Sequence, residues 1–174
     1  MSRWKKIKGK KVYSGFFGVV YEDEVINPFG KKHIYGYIVG PEYTPVVGYH
    51  EGKFLIVRQY RYTQQRFTWE FVSGALEKGL TPLKNAKKEL LEESGYSADK
   101  WTKLAKLRGG NGFGTVFLAQ SMKKVADPVP EVGGEIPEPK FVSRAELEKM
   151  IKSAKFDKFS HIASFYLAKD HLKL

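Results

Sequence analysis

Glu89, Glu92 and Glu93 are spaced i, i+3 and i+4, so a helix through them turns three carboxylates to one side. Like charges that close destabilise one another unless a cation or basic partners neutralise them. Hard oxygen donors of this kind suit Mg²⁺ or Mn²⁺, which take a few carboxylates, waters and phosphate oxygens as ligands. Lys84, Lys88 and Glu92 also follow one another at intervals of four. A solvated helix face with an ordinary Lys88–Glu92 pair therefore accounts for part of the same pattern.

The helix itself is well marked. Thr81 is a suitable N-cap, Pro82 suits the first helical position, and nothing between Leu83 and Glu93 breaks the helix. Gly95 stands where a C-terminal glycine is expected. Leu83, Ala86 and Leu90 form an apolar stripe for packing. Ahead of the helix, Val12–Glu22, His33–Val39, Thr44–Tyr49, Lys53–Arg61 and Trp69–Val72 read as strands rich in aromatic and β-branched residues. Behind it, Trp101–Leu107 and Thr115–Gln120 read as strands around a Gly-rich loop. Pro128–Pro139 reads as an acidic Pro/Gly loop, and Lys140–Val142 as a short strand. Helices follow at Arg144–Ser153, capped by Ser143, and at about Ser160–His171. This order implies an α+β domain with helices on both faces of a sheet, and one domain over residues 1–174.

Composition narrows the function classes. The chain has 174 residues, 42% of them hydrophobic, which is enough for one folded core. It lacks cysteine, which excludes disulfides, zinc–thiolate sites and thiol catalysis. No run approaches the roughly 18 apolar residues that cross a bilayer, and no apolar signal core follows the basic N-terminus. A soluble cytoplasmic protein is expected. The net charge of +11, with Lys5, Lys6, Lys8, Lys10 and Lys11 clustered at one end, suits a small polyanion or a solvated surface. No nucleic-acid-binding motif accompanies it, so a nucleic-acid partner is not expected. His33, His50, His161 and His171 lack metal-ligand spacing and read as surface or turn residues.

The segment Gly74–Tyr96, GALEKGLTPLKNAKKELLEESGY, resembles the box of the Nudix hydrolases. That pattern is G, five residues, E, seven residues, then R-E-U-x-E-E-x-G-U, with U a bulky apolar residue. Gly74, Glu89, Leu90, Glu92, Glu93, Gly95 and Tyr96 match it. Leu80 stands at the first glutamate and Lys88 at the arginine, which reads as one lost charged interaction. Upstream, VRQYRY and WEFVSG look like segments of the ADP-ribose pyrophosphatase branch.

The resemblance implies a Nudix-type α/β/α sandwich with a mixed sheet and an N-terminal antiparallel β-region. Residues from about 1 to 42 would contribute to a homodimer and 43–174 would form the catalytic core. It further implies an Mg²⁺-dependent, or Mn²⁺-dependent, hydrolase of a nucleoside-diphosphate compound such as ADP-ribose or another nucleotide sugar. The metal ligands would be Glu89, Glu93 and the Ser73 carbonyl, with Glu92 assisting. Arg58, Arg61 and Glu70 would meet the substrate. Arg58 and Arg61 are three apart on a strand and so should face opposite ways. The general base would be a glutamate of the acidic loop, with Glu135 at the expected position and Glu131 and Glu138 competing. Asn111 replaces the proline usual in ADP-ribose-directed relatives. Leu80, Lys88 and Asn111 leave open a weakened enzyme or a nucleotide-binding protein, and the positive charge alone would favour an RNA-directed relative.

Overall fold

A computed structural model describes residues 3–15, 18–109, 112–129 and 136–174. The chain forms two compact units, one of residues 1–42 with 108–113 and one of residues 43–107 with 114–174. In the first, β1 (Lys5–Gly15), β2 (Gly18–Ile26) and β3 (Lys32–Val39) make an antiparallel sheet in the order β1–β2–β3. The run Val12–Glu22 is thus two strands rather than one, with Gly15 opposite Gly18 where they meet. The N-terminal lysines are strand residues. Lys6, Lys8 and Lys10 pair across to Asp23, Glu24 and Glu22 at 2.7–2.9 Å. Cross-strand opposite charges stabilise such a pair of strands and neutralise part of the basic cluster.

The second unit holds β4 (Tyr43–His50), β5 (Lys53–Arg61), β6 (Arg66–Glu70), β7 (Val72–Ala75), all but the terminal Arg108 and Phe113 of β8 (Tyr96–Arg108) and β9 (Phe113–Lys124), and β10 (Glu138–Ser143). The sheet order is β10–β5–β4–β9–β8, with β6 also on β5 and β7 also on β4. β4 and β9 are parallel and the other pairs with known register antiparallel, so the sheet is mixed. Helices α1 (Pro82–Ser94), α2 (Arg144–Lys152) and α3 (Phe159–Leu172) complete it.

Strand alternation explains the layers. Phe54 and Ile56 of β5, Val47 of β4 and Val116 and Leu118 of β9 pack with Leu147 of α2 and Phe165 of α3. Their immediate neighbours Leu55, Val57, Val46, Phe117 and Ala119 point the other way, onto Ala86 and Leu90 of α1. Each strand therefore reads as a continuous apolar run because both faces are covered. This is the expected α/β/α sandwich.

Helix α1 begins and ends as its sequence requires. Thr81 accepts from the Lys84 amide at 3.3 Å, and the Gly95 amide closes the last turn on Leu91 at 2.8 Å. Leu83 departs from the expected stripe, being 37% exposed, while Asn85 and Glu93 are buried on the inner face. Gly95 has φ +73°, and a Cβ there would lie 2.1 Å from the carbonyl oxygen of Ala126. Gly95→Ala should lower the unfolding free energy by about 2–4 kcal/mol, from backbone strain plus displaced chain. Urea midpoints at unchanged slope would show it.

Candidate active site

Strand β7 and helix α1 build the centre of the site. Ser73 lies opposite Pro45 of β4, and its amide donates to Oε2 of Glu93 at 3.2 Å. Glu93 is only 5% exposed. One turn earlier on the helix, the Glu89 carboxyl sits against Gly74, where an added Cβ would come within 2.0 Å of its Cδ. Gly74 is therefore glycine because a side chain would occupy the place of that carboxyl. Glu89 and Glu93 both close on the Ser73–Gly74 backbone.

Glu92 takes another course. Its carboxylate accepts from Lys88 Nζ at 2.5 Å, and the same ammonium reaches Glu77 at 2.9 Å. The hydrogen bond to Glu92 first, and then that to Glu77, holds the Lys88 ammonium more firmly protonated than an ordinary lysine, against the opposing effect of burial. Lys88 thus has an acidic partner in the loop before α1, Glu77, while Leu80 brings no charge of its own. Among the described residues, no three acidic or histidine side chains are grouped closely enough to hold a metal ion by themselves. A cation at Ser73–Gly74 would be met by Glu89, Glu93, backbone carbonyl and water, a mixed oxygen set that suits Mg²⁺.

Asn85, fully buried, joins the parts. Its amide nitrogen donates to Thr44 Oγ1 at 2.9 Å and, more weakly, to Glu89 Oε1 at 3.4 Å, while its oxygen accepts from the Glu77 amide at 3.0 Å. One side chain thereby ties β4, the loop before α1 and a candidate ligand together. An asparagine at the first turn of a helix carries no sign of this in sequence.

The second cluster centres on Glu70, whose side chain is 4% exposed. Arg61 grips it with two bonds at 2.7 and 2.8 Å, Lys158 reaches it at 2.8 Å, and Thr68 donates to it at 2.7 Å. Burial alone would raise the carboxyl pKa, but the Arg61 hydrogen bond and the Lys158 charge together hold it far below the usual range. Arg58 leaves β5 on the other face, as the three-residue spacing requires. It pairs with Glu138 at 3.2 Å and lies 4.3 Å over the ring of Phe67. Glu138 is the first residue of β10 rather than part of a loop, opposite Arg58 in register. Glu131, Glu135 and Asn111 lie outside the described residues.

His161 is neither a surface nor a turn residue. It is wholly buried in α3, and its Nδ1 accepts from the Phe71 amide at 3.0 Å. The sequence gives no sign of this, because the contact spans 90 residues. Burial first, and the Lys158 charge next, push its pKa well below 6.5. The folded protein thus refuses a proton that the unfolded chain accepts, and stability falls as pH drops below about 6.5. The slope reaches up to about 1.4 kcal/mol per pH unit. Urea unfolding between about pH 7.5 and pH 5.5 should show this loss, and His161→Asn, which cannot titrate, should flatten it. The Glu70 contribution is also lost on acidification, beginning as pH falls through the ordinary glutamate value of about 4.5.

Comparison with known proteins meets this geometry at the same residues. Residues 45–165 match the family model of the NUDIX domain. The chain is 33% identical over 148 residues to an ADP-ribose pyrophosphatase of Bacillus subtilis (strain 168), covering 82% of this chain and 77% of that one. It is 28% identical over 144 residues to a methanol dehydrogenase activator of Bacillus methanolicus, again covering 82% and 77%. A solved structure of an ADP compounds hydrolase superposes with a TM-score of 0.88 at 18% identity, over 99% of this chain and 96% of that one, so the fold is shared. The match spans most of β4, the rest of the sheet, α1, α2 and the first half of α3, and includes Ser73, Gly74, Glu89 and Glu93 as well as Arg61, Glu70 and Lys158: the chain belongs to the NUDIX domain family.

Proposed function

We propose that this Nudix pyrophosphohydrolase cleaves the diphosphate of ADP-ribose or a related nucleotide sugar in the presence of Mg²⁺ or Mn²⁺, releasing a nucleoside monophosphate. The observation that carries the proposal is the convergence of Glu89 and Glu93 on the Ser73–Gly74 backbone. The substrate class is supported by the ADP-ribose pyrophosphatase relative. Glu89, Glu93 and the Ser73 carbonyl would hold the cation, with Glu92, now paired with Lys88, assisting. A divalent cation held there would neutralise charge on the diphosphate and lower the pKa of a water.

The remaining work falls to the chain's own groups. Glu70 holds Arg61 and Lys158 together, and this cluster is assigned to a phosphate or ribose-linked oxygen of the substrate. Arg58 offers a half-exposed guanidinium on the opposite face of β5. A glutamate of the acidic loop, Glu135, takes the proton of the attacking water, a role that rests on the family resemblance. The Glu77–Lys88 pair, which ties the helix to the loop before it, supports reading the chain as an active enzyme. Glu93→Gln should reduce nucleoside monophosphate release from ADP-ribose by about 10²–10³-fold, since a metal ligand contributes several kcal/mol to the barrier. Wild-type turnover in that variant would sink the proposal.

The N-terminal strands are proposed to join two copies of the chain. The support is the apolar surface of the first unit, where Ile34 and Ile38 are 63% and 51% exposed on one face of β3. Both side chains on a solvated strand would be expected to be polar. Light scattering after gel filtration should give a dimer mass for the wild type and a monomer mass for the Ile34→Asp, Ile38→Asp double variant.

A further inference from the structure

The strand path through the site contains one interruption. β6 ends at Glu70 while paired with β5, and β7 begins at Val72 while paired with β4. Phe71 is the single residue at which the chain changes partner. It is 1% exposed, so its N–H requires an acceptor inside the protein. His161 supplies that acceptor from α3, at 3.0 Å through Nδ1. The residue before the switch is held from the same side, because Lys158, the N-cap position of α3, bonds Glu70 at 2.8 Å. The residue two places after it, Ser73, is held from the opposite layer by Glu93. The Phe71 ring packs edge-on against Phe156 at 5.1 Å and beside His161 at 6.0 Å, so neither the ring nor the amide has room to shift independently.

We infer that His161 and Lys158 are positioning residues of the metal site: α3 sets the strand switch that presents Ser73 and Gly74 to Glu93 and Glu89. This rests on the reading of Glu89, Glu93 and Ser73 as the cation's ligands. His161 acts at a distance of one hydrogen bond and two residues of backbone and touches neither cation nor substrate. Its neutral state leaves Nδ1 as the acceptor and puts the ring proton on Nε2, which has no hydrogen-bond partner among the described residues and lies beside the Phe71 and Phe156 rings. The bond to Phe71 is the hydrogen bond by which this ring acts on the strand switch. Asparagine carries its carbonyl oxygen where histidine carries Nδ1, so it can replace the acceptor, whereas leucine fills the space and cannot.

The test is Mn²⁺ binding without substrate, followed by the paramagnetic resonance signal of free Mn²⁺ at a temperature well below unfolding. The wild type should bind, His161→Leu should bind about 10- to 100-fold more weakly, as removal of a group that orients a ligand does, and His161→Asn should recover most of the loss. Lys158→Met serves if the leucine variant does not fold, since the lysine side chain is partly exposed and its loss leaves Glu70 with Arg61. It should also weaken Mn²⁺ binding. Wild-type affinity in His161→Leu or, failing that, in Lys158→Met, with only the melting temperature lowered, would overturn the positioning role and leave the metal site standing. Absence of Mn²⁺ binding in the wild type itself would overturn the metal site and this inference with it.

Discussion

The hydrogen bond from the Ser73 amide to Glu93 joins the two halves of the site, and most of the surrounding structure can be understood as what that contact demands. It places a buried carboxylate of α1 against an edge of β7, at the cost of removing a charge from water. Glycine at 74 lets Glu89 approach the same backbone, and Asn85 holds that carboxylate, the preceding loop and β4 in one network. Thr81 and Gly95 cap the helix at both ends, so its axial position, and with it the height of the two glutamates, is determined by local chemistry. The apolar residues Ala86 and Leu90 then seat the helix on the sheet.

Electrostatics in the molecule is handled pair by pair rather than as a field. The +11 net charge would suggest a strongly basic surface, yet three of the N-terminal lysines meet acidic residues of β2. Lys88 is shared between Glu77 and Glu92, and Glu70 is shared between Arg61 and Lys158. The last arrangement is the more consequential. A carboxylate with so little exposure is held ionised only because two cations and a hydroxyl satisfy it, and the removal of one partner would leave costly unpaired charge. It also links three separate elements, β5, β6 and the start of α3, at the strand switch beside the metal-type donors.

Much of this was legible in the residues. The caps of α1, the i, i+3, i+4 glutamates and the glycines at 74 and 95 act over a turn or two of chain, where spacing and side-chain type decide the outcome. The strands of the second unit were legible for a similar reason, since runs such as KFLIVRQYR need two covered faces. What escaped is non-local. The Val12–Glu22 run conceals a change of strand direction because aromatic and β-branched residues continue up to its glycines. His161 has no neighbours in sequence that mark it as an acceptor for Phe71, and Glu77 lies a loop away from Lys88. Glu92 shares the helical spacing of its companions, but its rotamer follows Lys88, and rotamers are set by contacts that spacing does not contain.

The central claim is that Glu89, Glu93 and the Ser73 carbonyl form one cation site. Its most direct measurement is a crystal structure of the protein with Mn²⁺ and a non-hydrolysable ADP-ribose analogue, the metal located by its anomalous scattering. The account predicts an Mn²⁺ ion about 2.0–2.3 Å from carboxylate oxygens of Glu89 and Glu93 and from the Ser73 carbonyl, with phosphate oxygens completing its shell. Manganese bound elsewhere, with Glu93 still bonded to the Ser73 amide and no metal at Glu89, would contradict it.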